Sequence, residues 1–277
     1  MAKRNGQAKF DRHHLYEASV QSVDADLDFA AKVYERHAGR PLRLLREDFC
    51  GTAALACSWV RRRRKNRAVG VDLDGRTLDW ARQHNLAALG ESASRVELIQ
   101  GDVCRVLRPR ADVTVGLNFS YWVFSTRQAL LAYFEAAHAG LREDGLLVLD
   151  LFGGSEAAVQ SEEERRIPPE VCFDGTRLPS FSYCWDQAYF NPINGAFRCH
   201  IHFKLKDGTR LRKAFSYHWR FWSLPEIRDL LLEAGFKRVD AYTDDWDEDE
   251  GDSNGIYRRR KNFDNEGVWI GYAVGVK

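Results

Sequence analysis

Residues 68–74, Ala68-Val-Gly-Val-Asp-Leu-Asp74, decide the fold. A short apolar run ends in an acidic residue, Asp72, and a helical pattern begins directly after it. This reads as a buried strand feeding a helix. In an open α/β sheet the crevice at the carboxyl ends of the strands is where ligands bind. A carboxylate at that end can accept hydrogen bonds from two vicinal ribose hydroxyls. The chain therefore reads as one built to hold a nucleoside.

The same unit repeats outward from this stretch. Leu42-Arg-Leu-Leu45 is a short strand, Glu47-Asp-Phe-Cys-Gly-Thr52 the turn after it, and Ala53–Arg61 a helix. The basic run 61–67 reads as a solvated loop. Asp74 can N-cap a helix from Gly75 to Leu89, with Gly90 as its stop. Val96–Gln100 is a third strand, closed by Gly101-Asp102-Val103, and Ala111–Leu117 a fourth, leading into Asn118-Phe-Ser-Tyr-Trp122. Ser125-Thr-Arg-Gln128 is a capping box for a helix ending near Gly140. Gly145–Leu151 is a fifth strand, apolar enough for burial on both faces. Upstream, residues 1–14 read as frayed, with helical segments at Leu15–Gln21 and Asp26–His37. Strands alternating with helices predict a doubly wound parallel sheet.

The pattern changes near residue 155. A polar helix stopped by Pro168-Pro169 is expected first, then strands at Phe181–Phe190, Ala196–Lys206 and Thr209–Trp222, with Asn194-Gly195 and Asp207-Gly208 at the hairpin turns. On the middle strand Phe197, Cys199, Ile201, Phe203 and Leu205 share one side, and Arg198, His200, His202 and Lys204 the other. Ser223-Leu-Pro-Glu226 caps a helix over Leu224–Ala234. Strands at Arg238–Tyr242 and Val268–Val276 follow, joined by a loop that is acidic and then basic and that should border the site. The expected units are a helical cap (1–40), a core (41–154 with 223–277) and an inserted β-meander (155–222) covering the site at the strand ends.

A net charge of +1 gives no global attraction to nucleic acid or a membrane surface. No apolar run is long enough for a bilayer, and the first residues lack the apolar segment of a secretory signal. The six cysteines form no Cys-x-x-Cys pair, which suggests reduced thiols in a cytoplasmic protein. His200 and His202 form a His-x-His pair, but no further ligand is placed near them, so no metal is expected.

Together these segments resemble the class I S-adenosylmethionine-dependent methyltransferases, from about Arg43 to Val276. The resemblance implies a seven-stranded, mostly parallel, Rossmann-like sheet with an antiparallel β-meander insertion, and S-adenosyl-L-methionine as cofactor. In that family the turn after the first strand reads acidic-x-Gly-x-Gly-x-Gly and approaches the methionine part. Here Glu47, Cys50 and Gly51 fall in it, with Phe49 and Ala53 at the outer glycine positions. Glu47 and Asp48 could equally cap the helix that follows. Asp72 falls at the ribose position, Leu73 against the adenine, and Asp102 and Val103 around the adenine amino group and ring. Asn118 and Phe119 fall beside the methyl donor, and Tyr16 and Gln21 would fold over the cofactor. The dinucleotide fingerprint Gly-x-Gly-x-x-Gly is absent.

A sulfonium methyl is already electrophilic, so the protein must chiefly align the acceptor and exclude water. No catalytic residue is singled out. Tyr121 and Trp122 are expected to face the acceptor, where aromatic faces favour a cation. His200, His218 and Arg220 are expected as substrate contacts from the meander. The expected activity is methyl transfer to a small-molecule acceptor by in-line displacement. An RNA or protein methyltransferase and a non-catalytic cofactor-binding protein are the alternatives. The basic runs at 61–67 and 258–261 support the first of these, and the altered glycine turn supports the second.

Overall fold

Short apolar strands buried on both faces need helices above and below them. The computed structural model, which describes residues 10–244, 246–247, 252–253 and 255–277, has that architecture. Helices α1 (Arg12–Val20) and α2 (Val23–Ala38) precede β1 (Leu44–Asp48), α3 (Ala54–Arg62), β2 (Arg67–Asp72), α4 (Gly75–Ala81), β3 (Val96–Gln100), β4 (Ala111–Gly116), α5 (Arg127–Gly140) and β5 (Leu141–Gly153). The insertion supplies β6 (Glu162–Ile167), β7 (Glu170–Val171), β8 (Arg177–Leu178), β9 (Phe181–Phe190), β10 (Ala196–Lys204) and β11 (Arg210–Arg220). The chain closes with α6 (Leu224–Glu233), β12 (Arg238–Thr243), β13 (Trp246–Asp247), β14 (Asp252–Ser253), β15 (Arg258–Arg260) and β16 (Trp269–Val276).

The main sheet has the order β15-β12-β16-β5-β4-β1-β2-β3. Strands β3, β2, β1, β4 and β5 are parallel, and β16 lies antiparallel between β5 and β12. The seven expected strands are present. An eighth, β15, pairs with β12 from within the charged loop, Ala241 opposite Arg260. On β5, Leu146 and Val148 face a core built with α2 and α3, while Leu147, Leu149 and Leu151 face one built with α5, α6 and the insertion. This two-sided burial makes the sheet doubly wound.

Four local expectations are corrected. First, residues 162–167 form a strand rather than part of a helix. Pairing with β9, from Glu162 opposite Asp186 to Ile167 opposite Phe181, overrides the helical preference of Glu and Arg. The insertion is thus a four-stranded sheet, β11-β10-β9-β6. Second, α1 starts at Arg12, because the Asp11 side chain accepts from His13 N at 2.8 Å. Third, the helix begun by α4 is not regular: it passes through a π turn at Arg82–Leu86 into 3-10 turns, stops at Gly90 as expected, where the backbone is non-helical (φ 56°, ψ −129°), and a separate short 3-10 segment follows to Arg95. The π turn carries Asn85 inward, where its amide donates to Glu17 (2.7 Å) and the Thr52 carbonyl (3.0 Å). Fourth, the basic run is not wholly solvated. Arg62 bridges Asp24 and Asp28 on α2, and Arg61 lies 3.8 Å over the Phe173 ring.

The insertion is held from two sides. Phe197, Cys199 and Trp219 join the core of the main sheet. Ile201, Phe203 and Leu205 pack with Leu15 of α1. His14 and His84 both reach Asp174, at 2.9 and 2.7 Å, tying α1, the π turn and the β7–β8 hairpin together.

Candidate functional site

The site grows from the carboxyl ends of β1, β2 and β4. After β1, Phe49, Gly51 and Ala53 have left-handed backbone, with φ of 58°, 52° and 55°. These are the three positions that the resembled family fills with glycine. The loop keeps the glycine-type backbone at Phe49 and Ala53, each left-handed L-residue costing about 1–2 kcal/mol. Neighbouring contacts enforce it. Asp72 Oδ2 accepts from Gly51 N at 2.7 Å, Cys50 N donates to the Val71 carbonyl at 3.0 Å, and the Phe49 ring meets Tyr133 edge-on at 5.4 Å. Gly70 is required on the neighbouring strand, since a Cβ there would come within 2.9 Å of Cys50 Sγ.

Asp72 Oδ1 accepts from Asp74 N at 2.8 Å, so the carboxylate is fixed at the strand end. Beside it Leu73 is 73% exposed, an apolar side chain presented to the outside. Glu47 is buried, and its Oε2 accepts from Ala56 N in the first turn of α3 at 3.0 Å. Burial pushes its pKa up to about 8 despite that bond. The capping role of Glu47 is therefore realised, and the residue also lines a cavity. Asp48 instead pairs with the buried Arg46 at 2.7 Å. Arg46 also donates to the carbonyls of Val103 (3.1 Å) and Val106, locking the end of β1 to the segment after β3. Asp102 caps its own turn, accepting from Cys104 N at 2.9 Å, and Val103 is a buried core residue.

After β4, Asn118 and Phe119 are consecutive left-handed residues, with φ of 55° and 56°. Their amides donate to the two carboxylate oxygens of Asp150 on β5, at 2.7 and 2.9 Å. Burial pushes Asp150 up to about 8 against these bonds.

Two adjoining cavities lie here. The first, about 340 Å³, is lined by Glu47, Phe49, Gly51 and Asp72 together with Arg12 and Gln21. The second, about 300 Å³, is lined by Asp26, Asp150, Tyr183, Trp185, Tyr257 and Tyr272. Tyr16, Asn118, Tyr217 and Trp219 belong to both and form the partition. The Tyr16 and Tyr217 hydroxyls share a hydrogen bond, and Tyr217 stacks on Trp219 with centroids 4.4 Å apart. Gln21 Oε1 is buried with no hydrogen-bond partner among the described residues, and the residue lines the first cavity. A wider depression of about 800 Å³ lies between the start of α2 and the β7–β8 hairpin. It contains neither Glu47 nor Asp72.

Of the expected residues, Tyr16, Gln21, Glu47, Cys50, Gly51, Asp72 and Asn118 meet at the first cavity. Phe119 lines the second. The expected acceptor contacts do not gather there. Tyr121 and Trp122 are fully buried. The Tyr121 hydroxyl donates to the Asp150 carbonyl at 2.9 Å, and Trp122 packs among Phe152, Trp219 and Phe221. His200, His218 and Arg220 lie on the opposite face of the inserted sheet. His200 bonds Ser216 Oγ at 2.8 Å, His218 stands opposite Arg198, and Arg220 lies over Trp222 and pairs with Glu226. Strand alternation separated the two faces correctly, but the aromatic face, not the polar one, meets the cavity.

Asp26 and Asp150 were not anticipated. Asp150 carried a signal, a single carboxylate inside the apolar run Leu146-Leu-Val-Leu-Asp-Leu-Phe152. Asp26 carried one as well: at helical spacing it falls in line with Phe29, Ala30 and Val33, on the side opposite Asp24 and Asp28. The loop 243–266 does reach the site through Tyr257. Of its acidic run, residues 245 and 248–250 lie outside the described residues. No helix among the described residues is long and apolar enough to cross a membrane.

Residues 48–149 match the family model described as a methyltransferase domain. No curated protein matches the chain. Solved structures share the fold across nearly the whole length. DesVI of Streptomyces venezuelae is 15% identical, with a TM-score of 0.67 over 95% of this chain and 98% of its own. CalS10, an amino pentose methyltransferase from Micromonospora echinaspora, is 15% identical, with a TM-score of 0.64 over 96% and 98%. An S-adenosylmethionine-dependent methyltransferase from Clostridium acetobutylicum is 14% identical, with a TM-score of 0.62 over 95% and 96%.

Proposed function

We propose that this chain, which carries a methyltransferase domain on the class I fold, transfers a methyl group from S-adenosyl-L-methionine to a small-molecule acceptor. The observation that carries the reading is the loop after β1. It holds three left-handed residues at the glycine positions of the resembled turn, and Asp72 is hydrogen-bonded to its centre. The donor set fits the group. Asp72 offers acceptors to ribose hydroxyls, exposed Leu73 an apolar surface to adenine, and Asp102 an acceptor at the far edge. Gln21 Oε1 and Glu47 offer acceptors to an α-ammonium, and Arg12 a cation to a carboxylate. Bound there, the cofactor supplies a sulfonium methyl.

The chain's own residues do the rest. The Tyr16–Tyr217 pair and Trp219 stand between the two cavities, so the acceptor compartment is the second cavity, roofed by the aromatic face of the inserted sheet. In this reading residues 1–40 cap the site and residues 155–222 exclude water from the reacting atoms. Two alternatives lose support. Arg61 and Arg62 are engaged internally, which weakens the case for RNA. The glycine-type backbone persists without its glycines, which weakens the case for a degraded, non-catalytic site. Six free thiols accord with a cytoplasmic protein.

The test is calorimetric titration with S-adenosylhomocysteine and with NAD, followed by methyl transfer from tritiated cofactor into a metabolite extract or an RNA pool. Binding of the adenosyl ligand alone, with label entering small molecules, is the expected result. Binding of NAD alone would overturn the reading.

A further inference from the structure

We propose that the second cavity is an ammonium cage, so that the methyl acceptor is an amine that binds as its protonated, cationic form. This rests on the methyltransferase reading for the reaction, but not for the preference of the cage.

Three observations carry it. The walls are aromatic: Tyr183, Trp185, Tyr217 and Trp219 come from the inserted sheet, and Tyr257 and Tyr272 from the core side. Ring faces attract a cation, and more strongly where water is excluded. Two carboxylates face the same space. Asp26 is bonded by the Tyr272 hydroxyl at 2.5 Å, and Asp150 by the Asn118 and Phe119 amides. Among the described residues neither carboxylate is paired with a lysine or arginine. A buried carboxylate without a cation is costly, and a ligand that brings the charge removes that cost. One cation, Arg165, does border the cavity. It is exposed on edge strand β6, donates to the Ser19 carbonyl and stacks 5.3 Å over the Tyr183 ring, and it pairs with neither Asp26 nor Asp150. A neutral alcohol could donate one hydrogen bond to a carboxylate but would bring no charge to either feature, and an anion would be repelled by both.

Asp150 is the carboxylate beside the partition, since its partner Asn118 lines both cavities. It is therefore the group assigned to take the proton. An N–H bond of the ammonium breaks and the proton passes to the Asp150 carboxylate. The freed nitrogen pair then forms the N–CH3 bond, while the S–CH3 bond breaks and its pair stays on sulfur. Burial has already raised the proton affinity of Asp150 toward that of an amine, which shortens the gap for this transfer.

The test uses the full chain and three ring-matched probes: cyclohexylamine hydrochloride, cyclohexanol and cyclohexanecarboxylate. Each is titrated calorimetrically at about pH 9, above the value of about 8 to which burial pushes Asp150 and below the ordinary pKa of an alkylammonium, with and without S-adenosylhomocysteine. The ammonium should bind at least about tenfold more tightly than the alcohol, and the carboxylate not at all. Asp150→Asn and, independently, Asp26→Asn should each remove most of that preference without weakening cyclohexanol. The second variant serves if the first does not fold. Equal affinity for alcohol and ammonium, preference for the carboxylate, or no binding of the ammonium at all would overturn the cage. Failure of S-adenosylhomocysteine to bind would instead strike at the methyltransferase reading, with the cation preference still measured on the ligand-free chain.

Discussion

Ala53 holds a left-handed backbone without glycine's freedom, and it is fully buried. Ala53→Gly would relieve about 1–2 kcal/mol of strain and lose about 0.8 kcal/mol of methyl burial. The two nearly cancel, so its urea midpoint should stay close to the parent. Ala56→Gly, in a right-handed turn of α3, should be less stable than Ala53→Gly by about 1 kcal/mol or more. Equal losses would show that packing and not backbone strain dominates at position 53. Asp72→Ala should weaken S-adenosylhomocysteine binding about tenfold or more, the worth of a hydrogen bond to a charged group. Unchanged affinity in a folded variant would remove Asp72 from the ribose. Arg46→Met leaves Asp48 buried without its ion partner and should destabilise by about 3–5 kcal/mol in urea unfolding.

The tie between α1, the π turn and the β7–β8 hairpin is made by one carboxylate. Burial raises the pKa of Asp174, but the hydrogen bonds from His14, Thr176 N and His84 outweigh it, and the net shift is downward. A depressed carboxylate stabilises the fold above its unfolded pKa near 4, and that contribution is lost as pH falls below it. Asp174→Ala should speed amide exchange in α1 and the hairpin while leaving β4 and β5 protected. Uniform loss of protection across the sheet would mean that the tie is not local. The insertion as a whole is a different matter. Phe197, Cys199, Trp219 and Trp222 are part of the main core. Replacing residues 155–222 by a short linker should therefore abolish cooperative unfolding, followed by calorimetry, rather than merely open the acceptor side. A sharp transition in such a variant would show the insertion to be a separable lid.

Across the whole molecule the raised carboxylates set the pH response of the ligand-free chain. Glu47 and Asp150 are pushed up to about 8 and Asp26 to about 6, all chiefly by burial. Their unfolded pKa values lie near 4, so between about pH 4 and 8 the native state holds protons that the unfolded chain has released. Stability from these groups is present at the acid side of that window and is lost as pH rises through it. The melting temperature of the ligand-free chain should be lower at about pH 8 than at about pH 6, and Glu47→Gln should flatten the slope. A parent melting temperature that climbs over this interval would contradict the assignment. A cationic ligand in the second cavity should flatten the slope as well, because it stabilises the ionised carboxylates.

Local pattern by itself determined a large part of this protein. The alternation of strands and helices, the carboxylates Glu47 and Asp72 at strand ends, the cap at Asp74 and the capping box at Ser223 each depend on residues within a few positions of one another. Helix periodicity, turn chemistry and strand alternation act at that range. The same alternation placed Phe197, Cys199 and Ile201 on one face of β10 and His200 and His202 on the other. What it could not say is which face turns toward the strand ends, because a period of two is symmetric between the sides of a sheet. Only the packing of Phe197 and Trp219 on the main core chose the aromatic face, and with it the lining of the second cavity. The strand at Glu162–Ile167, the junction at Asp174 and the pairing of Asp150 with two left-handed amides were likewise decided in three dimensions. Each joins segments far apart in the chain, and the free energy that fixes them comes from contacts no short stretch of sequence contains.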